Sequence, residues 1–155
     1  MLQKSSEVSN KADKYSDQEP HRDGRVRMKT TASKILVIDD EAEITDIVET
    51  YFEGLGYDVV AANSGQAGIK MAAEFKPNLV LLDIMMPDTS GYEVCSELKQ
   101  MDSMKGVPVV FLTGRDTRED SGRSFKSGGD MFVKKPFSCE RLADIVKIAL
   151  SSASK

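Results

Sequence analysis

Four stretches of the chain set charged or hydroxyl side chains directly behind aliphatic runs: "VIDDE" with Asp39, Asp40 and Glu41, "LVLLD" with Asp83, "FLT" with Thr113, and "FVKKP" with Lys134 and Lys135 before Pro136. A sheet interior needs none of these groups. If the runs are neighbouring parallel strands, their carboxyl ends share one edge, and the carboxylates crowd together there. Such crowding is tolerable when a cation sits among the acids, and hard oxygen ligands select a small divalent ion, with Mg²⁺ the natural candidate. A lysine and a threonine hydroxyl opposite the acids would bind other oxygens of an incoming anion. The chemistry suited to this set is phosphoryl transfer to a carboxylate. Asp83 would attack in line, and the metal and Lys135 would offset charge on the transferring group.

The elements that must deliver these ends are legible in the same rows. "KILVIDD", "DVVAA", "LVLLD", "VPVVFLT" and "MFVKK" are short apolar runs, and helical periods separate most of them. In "EAEITDIVETYFEGLGY" the positions Ile44, Ile47, Val48, Tyr51, Phe52 and Leu55 fall at helical spacing. Ser64 can cap a second helix, "SGQAGIKMAAEFK". Tyr92, Val94, Cys95 and Leu98 offer the inner face of a third. Leu142, Ile145, Val146, Ala149 and Leu150 form the stripe of the closing helix. Alternating strands and helices imply a parallel sheet, and near-continuous aliphatic strands imply cover on both faces. The expected architecture is α/β, a doubly wound five-stranded parallel sheet flanked by five helices. Ligands of such sheets bind beyond the strands' carboxyl ends.

Composition bounds the rest. At 40% hydrophobic and 30% charged residues over 155 positions, the chain suits one globular domain with a tail. Residues 1–34 carry eight Lys/Arg and five Asp/Glu, a net of +3, which leaves −7 for residues 35–155. That acidic body disfavours phosphate backbones, so nucleic acid is not an expected direct partner. Residues 1–33 lack a sustained apolar period and read as a disordered tail, a solvated leader or a docking arm. Cys95 and Cys139 lack metal-ligand spacing and read as reduced thiols. With no apolar run of bilayer length and no secretory leader, the expected location is the cytoplasm without membrane insertion.

The four strand-end motifs, in this order, resemble the receiver domain of bacterial two-component response regulators, of the single-domain kind that resembles chemotaxis regulators. The motifs are "VIDDE", "LLDIMMPDTSG", "FLTG" and "FVKKPF", with 30 positions from Asp83 to Thr113 and 52 from Asp83 to Lys135. The resemblance covers residues 34–152, with 153–155 as a short C-terminal tail, and it implies a flavodoxin-like fold. It implies Asp83 as phosphoacceptor, with Asp39, Asp40, Asp83 and the backbone carbonyl of Met85 holding Mg²⁺. It implies Thr113 and Lys135 as phosphoryl-binding groups, Phe132 as an aromatic switch, a cis bond at Pro136, and Lys134 facing solvent. The implied partners are a histidine kinase or a histidine phosphotransfer protein, docking on Ile44, Ile47 and Val48 and the loop around Pro136, and a downstream protein target. The domain would be a phosphoprotein switch of signal transduction and not an enzyme, beyond modifying and slowly clearing its own acceptor. No output domain follows Lys155 in this sequence, so a stand-alone regulator, a phosphorelay intermediate and a fragment of a larger regulator or hybrid kinase are all open.

Each residue also has a plainer reading. Asp39 and Asp40 could cap the helix that follows, Thr113 could be a β-branched strand end, and Phe132 could be core. A Mg²⁺-dependent phosphohydrolase with an aspartyl nucleophile is the alternative function, but it wants an acid two residues after the nucleophile, where Met85 stands. A flavin or nucleotide carrier would want a glycine-rich loop where "DDEAE" stands. The stretch "GRDTREDSGRSFKSGGD" departs from the family pattern. It is polar, and Gly122 would cost about 1 kcal/mol in a helix, so a fourth helix over 117–128 is expected to be short, mobile or shifted. Met85 has no group to orient water, and Arg115 would bring a cation near the phosphoryl group. Both imply slow self-dephosphorylation.

Overall fold

In the computed structural model, which describes residues 32–114 and 129–153, the aliphatic runs form one sheet. The strands are β1 (Lys34–Ile38), β2 (Asp58–Ala62), β3 (Leu79–Asp83), β4 (Val109–Thr113) and β5 (Met131–Lys134). The helices are α1 (Ala42–Gly54), α2 (Gly65–Phe75), α3 (Gly91–Lys99) and α4 (Cys139–Ala153), with a single 3-10 turn at Asp102–Met104. All strand pairs are parallel, in the order β2-β1-β3-β4-β5. Winding therefore runs outward from β1 to β2 and then crosses back to β3, and the reversal lies between β1 and β3. Asp39 follows the last residue of β1, and Asp83 is the last residue of β3. The two acids thus flank the switch point.

Burial explains why the strands read as continuous apolar runs. Ile35, Val37, Leu79, Leu81, Val110 and Leu112 pack on one face with Val48 and Phe52 of α1 and Leu142, Val146 and Ala149 of α4. The alternate strand residues, among them Leu36, Ile38, Leu82 and Phe111, are equally buried beneath α2 and α3. Each such Leu or Ile contributes about 1.5–3 kcal/mol relative to exposure. Ser64 caps α2 as expected, its hydroxyl accepting from the Ala67 N–H at 3.1 Å. The inner face of α3 is the expected one: Tyr92, Val94, Cys95 and Leu98 are all buried.

Helix α1 corrects the reading of its apolar stripe. Leu55 lies just past the helix and, like Ile47, is 51% exposed, whereas Thr45 is buried. Thr45 can be buried because its hydroxyl donates to the Ala42 carbonyl at 3.0 Å and accepts from the Asn63 amide at 3.1 Å. Val48 is wholly buried, so it cannot contact a docking partner. The helix expected over 117–128, residues 1–31 of the tail and residues 154–155 lie outside the described residues. Four α-helices, rather than five, are therefore described.

Candidate functional site

Three carboxylates meet at the carboxyl edge of the sheet. Asp39, Asp40 and Asp83 each offer an oxygen, and these atoms lie within 4.8 Å of one another. Asp39 is wholly buried, Asp83 nearly so, and Asp40 is exposed. Asp39 Oδ1 accepts from the Glu41 N–H at 3.0 Å. Its other oxygen, Oδ2, is buried with no aligned hydrogen-bond donor among the described residues. The Lys135 ammonium sits 2.8 Å from Oδ2, 3.1 Å from Glu41 Oε1 and 3.5 Å from Asp83 Oδ1.

Lys135 reaches the acids because β5 ends one residue earlier and its backbone is tied to β4. Thr113 pairs with Lys134, and the Lys135 N–H donates to the Thr113 carbonyl at 2.6 Å. The bond between Lys135 and Pro136 is cis, and Lys134 faces solvent, both as expected.

Electrostatics at Asp83 follow from this crowding. Burial, then the charge of Asp39, push the Asp83 carboxyl up from its ordinary 3.8 to about 7, against the pull of Lys135. A hydrogen bond with Asp40 raises it further, and the Met85 backbone N–H works the other way. For Lys135, burial alone would favour the neutral amine. Contacts with Asp39 and Glu41 and the charges of Asp39 and Asp83 outweigh it, so its pKa is raised and it stays an ammonium.

These observations fit a hard divalent cation. The donors are three carboxylates whose oxygens lie within 4.8 Å of one another, with one lysine ammonium shared among Asp39, Asp83 and Glu41. The acids' proximity also raises the Asp83 pKa, a cost that a bound cation would relieve. Helix capping does not account for the acidic run. The N-cap of α1 is Glu41, and its side chain makes no capping bond.

Of the other expected site residues, Thr113 is buried at the end of β4, one position beyond the partner of Asp83. Phe132 is half-buried, its ring 5.6 Å from that of Phe111, which in turn contacts Tyr92 at 5.1 Å. Met85, two positions after Asp83, is 59% exposed. Arg115 lies outside the described residues.

Sequence reasoning missed a supporting set. Asn63 donates to the Asp39 carbonyl at 2.8 Å, which ties β1's end to β2's end and, through Thr45, to α1. Asp88, in the loop after β3, accepts from the N–H groups of Gly65 and Gln66 at 3.1 and 3.2 Å, where α2's dipole favours an anion. That anchors the loop carrying Met85. Gly65 leaves room for the loop's side chains, since a Cβ there would lie 2.3 Å from Thr89 Cγ2 and Thr89 would have to shift. The signal for Asp88 was a polar loop residue ahead of a helix start, but its partner lies 23 positions earlier.

A family model described as the response regulator receiver domain matches residues 35–147. A probable transcriptional regulator ycf27 of Porphyridium aerugineum is 39% identical over 122 residues, covering 79% of this chain and 50% of that protein. The alkaline phosphatase synthesis transcriptional regulatory protein PhoP of Bacillus subtilis is 38% identical over 117 residues, 76% of this chain and 48% of its own length. The chain thus spans about half the length of these relatives. A CheY-like response regulator receiver domain protein from Methanospirillum hungatei superposes with TM-score 0.75 at 27% identity, covering 80% of this chain and 98% of its own. The receiver domain of a signal transduction histidine kinase from Syntrophus aciditrophicus does so with TM-score 0.70 at 30% identity, covering 78% and 92%.

Proposed function

Because the chain belongs to the response regulator receiver family, we propose that Asp83 accepts a phosphoryl group from the phosphohistidine of a histidine kinase or phosphotransfer protein, and that the acyl phosphate switches the domain's contacts with a protein target. The observation that carries the reading is Asp83 at the end of β3, with Asp39 and Asp40 beside it and the Lys135 ammonium 3.5 Å from Oδ1. An oxygen of Asp83 attacks phosphorus, and the bond from phosphorus to the donor nitrogen breaks. The imidazole leaves with the electron pair and takes a proton. Lys135, held as an ammonium, meets the transferring group's oxygens, and the Thr113 hydroxyl is the second protein group at that edge.

Asp39, Asp40, Asp83 and the Met85 carbonyl would hold Mg²⁺, which when bound offsets charge on the phosphoryl oxygens. Phe132, half-buried with its ring tilted 35° to that of Phe111, is the side chain whose rearrangement would report the modification outward. Ile44, half-buried, and Ile47, exposed, remain as docking contacts on α1 beside the loop at Pro136.

The domain acts as a signalling switch rather than an enzyme on other substrates. Met85, where a hydrolase would place its acid, supports slow self-clearance. The acidic charge of residues 35–155 supports a protein target rather than nucleic acid for this domain. Among the described residues no helix is long and apolar enough to cross a membrane, and we assign the domain to the cytoplasm. Incubation with acetyl phosphate and Mg²⁺, read by intact mass, tests the chemistry. Wild type should gain one phosphoryl group and Asp83→Asn none. Equal labelling of both would overturn the assignment.

A further inference from the structure

We infer that Glu41 is a positioning residue that shares the Lys135 ammonium with Asp83 in the unmodified domain, leaving Asp83 the longest of its contacts, and must release it when Asp83 is phosphorylated. The inference rests on the proposed chemistry of Asp83 and adds a restraint on it.

The ammonium has three carboxylates within reach, and the acceptor is the most distant. Asp39 Oδ2 stands at 2.8 Å, Glu41 Oε1 at 3.1 Å and Asp83 Oδ1 at 3.5 Å. Asp39 is wholly buried and its Oδ1 is engaged by the Glu41 N–H, so it cannot move away without breaking the end of β1. Glu41 is different. Its backbone is pinned by that same N–H bond, but its side chain is 59% exposed. It sits at the N-cap of α1 without capping the helix. What it does instead is accept from Lys135 at 3.1 Å.

A phosphoryl group on Asp83 would bring new anionic oxygens toward the same ammonium, which has only three N–H donors. Water can solvate an exposed Glu41 once Lys135 leaves it, so this contact is the one that gives way. Asp39, shielded from water, keeps its share. Glu41 also adds negative charge near the approach of an anionic phosphodonor. Both effects act in one direction: with Glu41 in place the domain is harder to phosphorylate and easier to return to the unmodified state.

The test compares wild type, Glu41→Gln and Glu41→Asp. Asp keeps the charge but is one methylene shorter and cannot reach Lys135 from the same backbone. With acetyl phosphate and Mg²⁺, both variants should label about twofold to fivefold faster than wild type, the range an exposed ion pair spans, and should hold the label longer. If Glu41→Asp labels at the wild-type rate while Glu41→Gln is faster, charge alone acts and the anchoring role is overturned. If neither is faster, the restraint does not exist. A readout without metal or donor accompanies this: the Lys135 Nζ resonance of the metal-free protein should move in both variants, and an unmoved resonance overturns the contact itself. Failure of the underlying chemistry looks different, because wild type would then take no label at Asp83.

Discussion

Replacing Gly91 with alanine perturbs Asp83, the proposed acceptor, from behind. Gly91 opens α3, and its N–H donates to the Ile84 carbonyl at 2.7 Å. An added Cβ would lie 2.3 Å from the Asp83 carbonyl oxygen, 2.8 Å from Ile84 Cα and 3.0 Å from the Asp83 carbonyl carbon. All three atoms are backbone, and real Cβ atoms essentially never approach closer than 3.0 Å, so helix and strand end must part by at least 0.7 Å. No side chain can swing aside to absorb it. Overpacking of this kind costs about 1–3 kcal/mol, and alanine's better helix propensity returns less than about 1 kcal/mol of that. With a urea slope of roughly 1–3 kcal/mol per molar, the midpoint should fall by about 1 M. Gly54→Ala is the matched control, since nothing lies within 4 Å of its Cβ and the midpoint should hold or rise slightly. Because the displacement falls on Asp83, Gly91→Ala should also label more slowly with acetyl phosphate under conditions where it is fully folded. A Gly91→Ala protein that unfolds at the wild-type midpoint would refute the close-approach argument.

Asp83, pushed up to about 7 in the fold from 3.8 outside it, favours the native state when protonated. Its contribution is therefore complete below about pH 4 and is lost as pH rises through about 7, so in metal-free protein Asp83→Asn should remove a slope worth about 1–3 kcal/mol between those limits. An unchanged slope in denaturation curves would count against the crowding. Mg²⁺ at roughly one hundred times its dissociation constant should stabilise wild type by about 2.7 kcal/mol in thermal unfolding, and Asp40→Asn should lose most of that gain. Met85→Asn, which sets an amide beside the proposed acceptor, should shorten the lifetime of the phosphorylated form severalfold. An equal lifetime would separate Met85 from the clearance rate. Asn63→Ala should cost about 1 kcal/mol by freeing the Asp39 carbonyl and the Thr45 hydroxyl, with a matching fall in Mg²⁺ affinity if Asp39 shifts.

The fold and the meeting of Asp39, Asp83 and Lys135 at one sheet edge were legible because both depend on local rules. Strands buried on two faces must be aliphatic throughout, so a carboxylate or lysine at their ends stands out against them. Asp39, Asp83 and Lys135 are visible for that reason. What sequence reasoning could not see depends on pairings across the chain. Glu41 meets Lys135 across 94 positions, and nothing in "DDEAE" distinguishes an acid that binds a lysine from one that caps a helix. Asp88 and Asn63 act through backbone groups of other elements, which carry no side-chain signature. In α1 the 3.6-residue period gives a stripe wide enough to admit Ile47. Only packing shows that the core takes Thr45 instead, its hydroxyl satisfied by Ala42 and Asn63.

The most direct measurement of the central claim is chemical. Protein treated with acetyl phosphate and Mg²⁺ is reduced with borohydride, which converts an aspartyl phosphate to homoserine, and its peptides are sequenced by mass spectrometry. Homoserine at position 83, and at neither Asp39 nor Asp40, is the result the account predicts. Homoserine at another acid, or none in protein that has bound Mg²⁺, would contradict it.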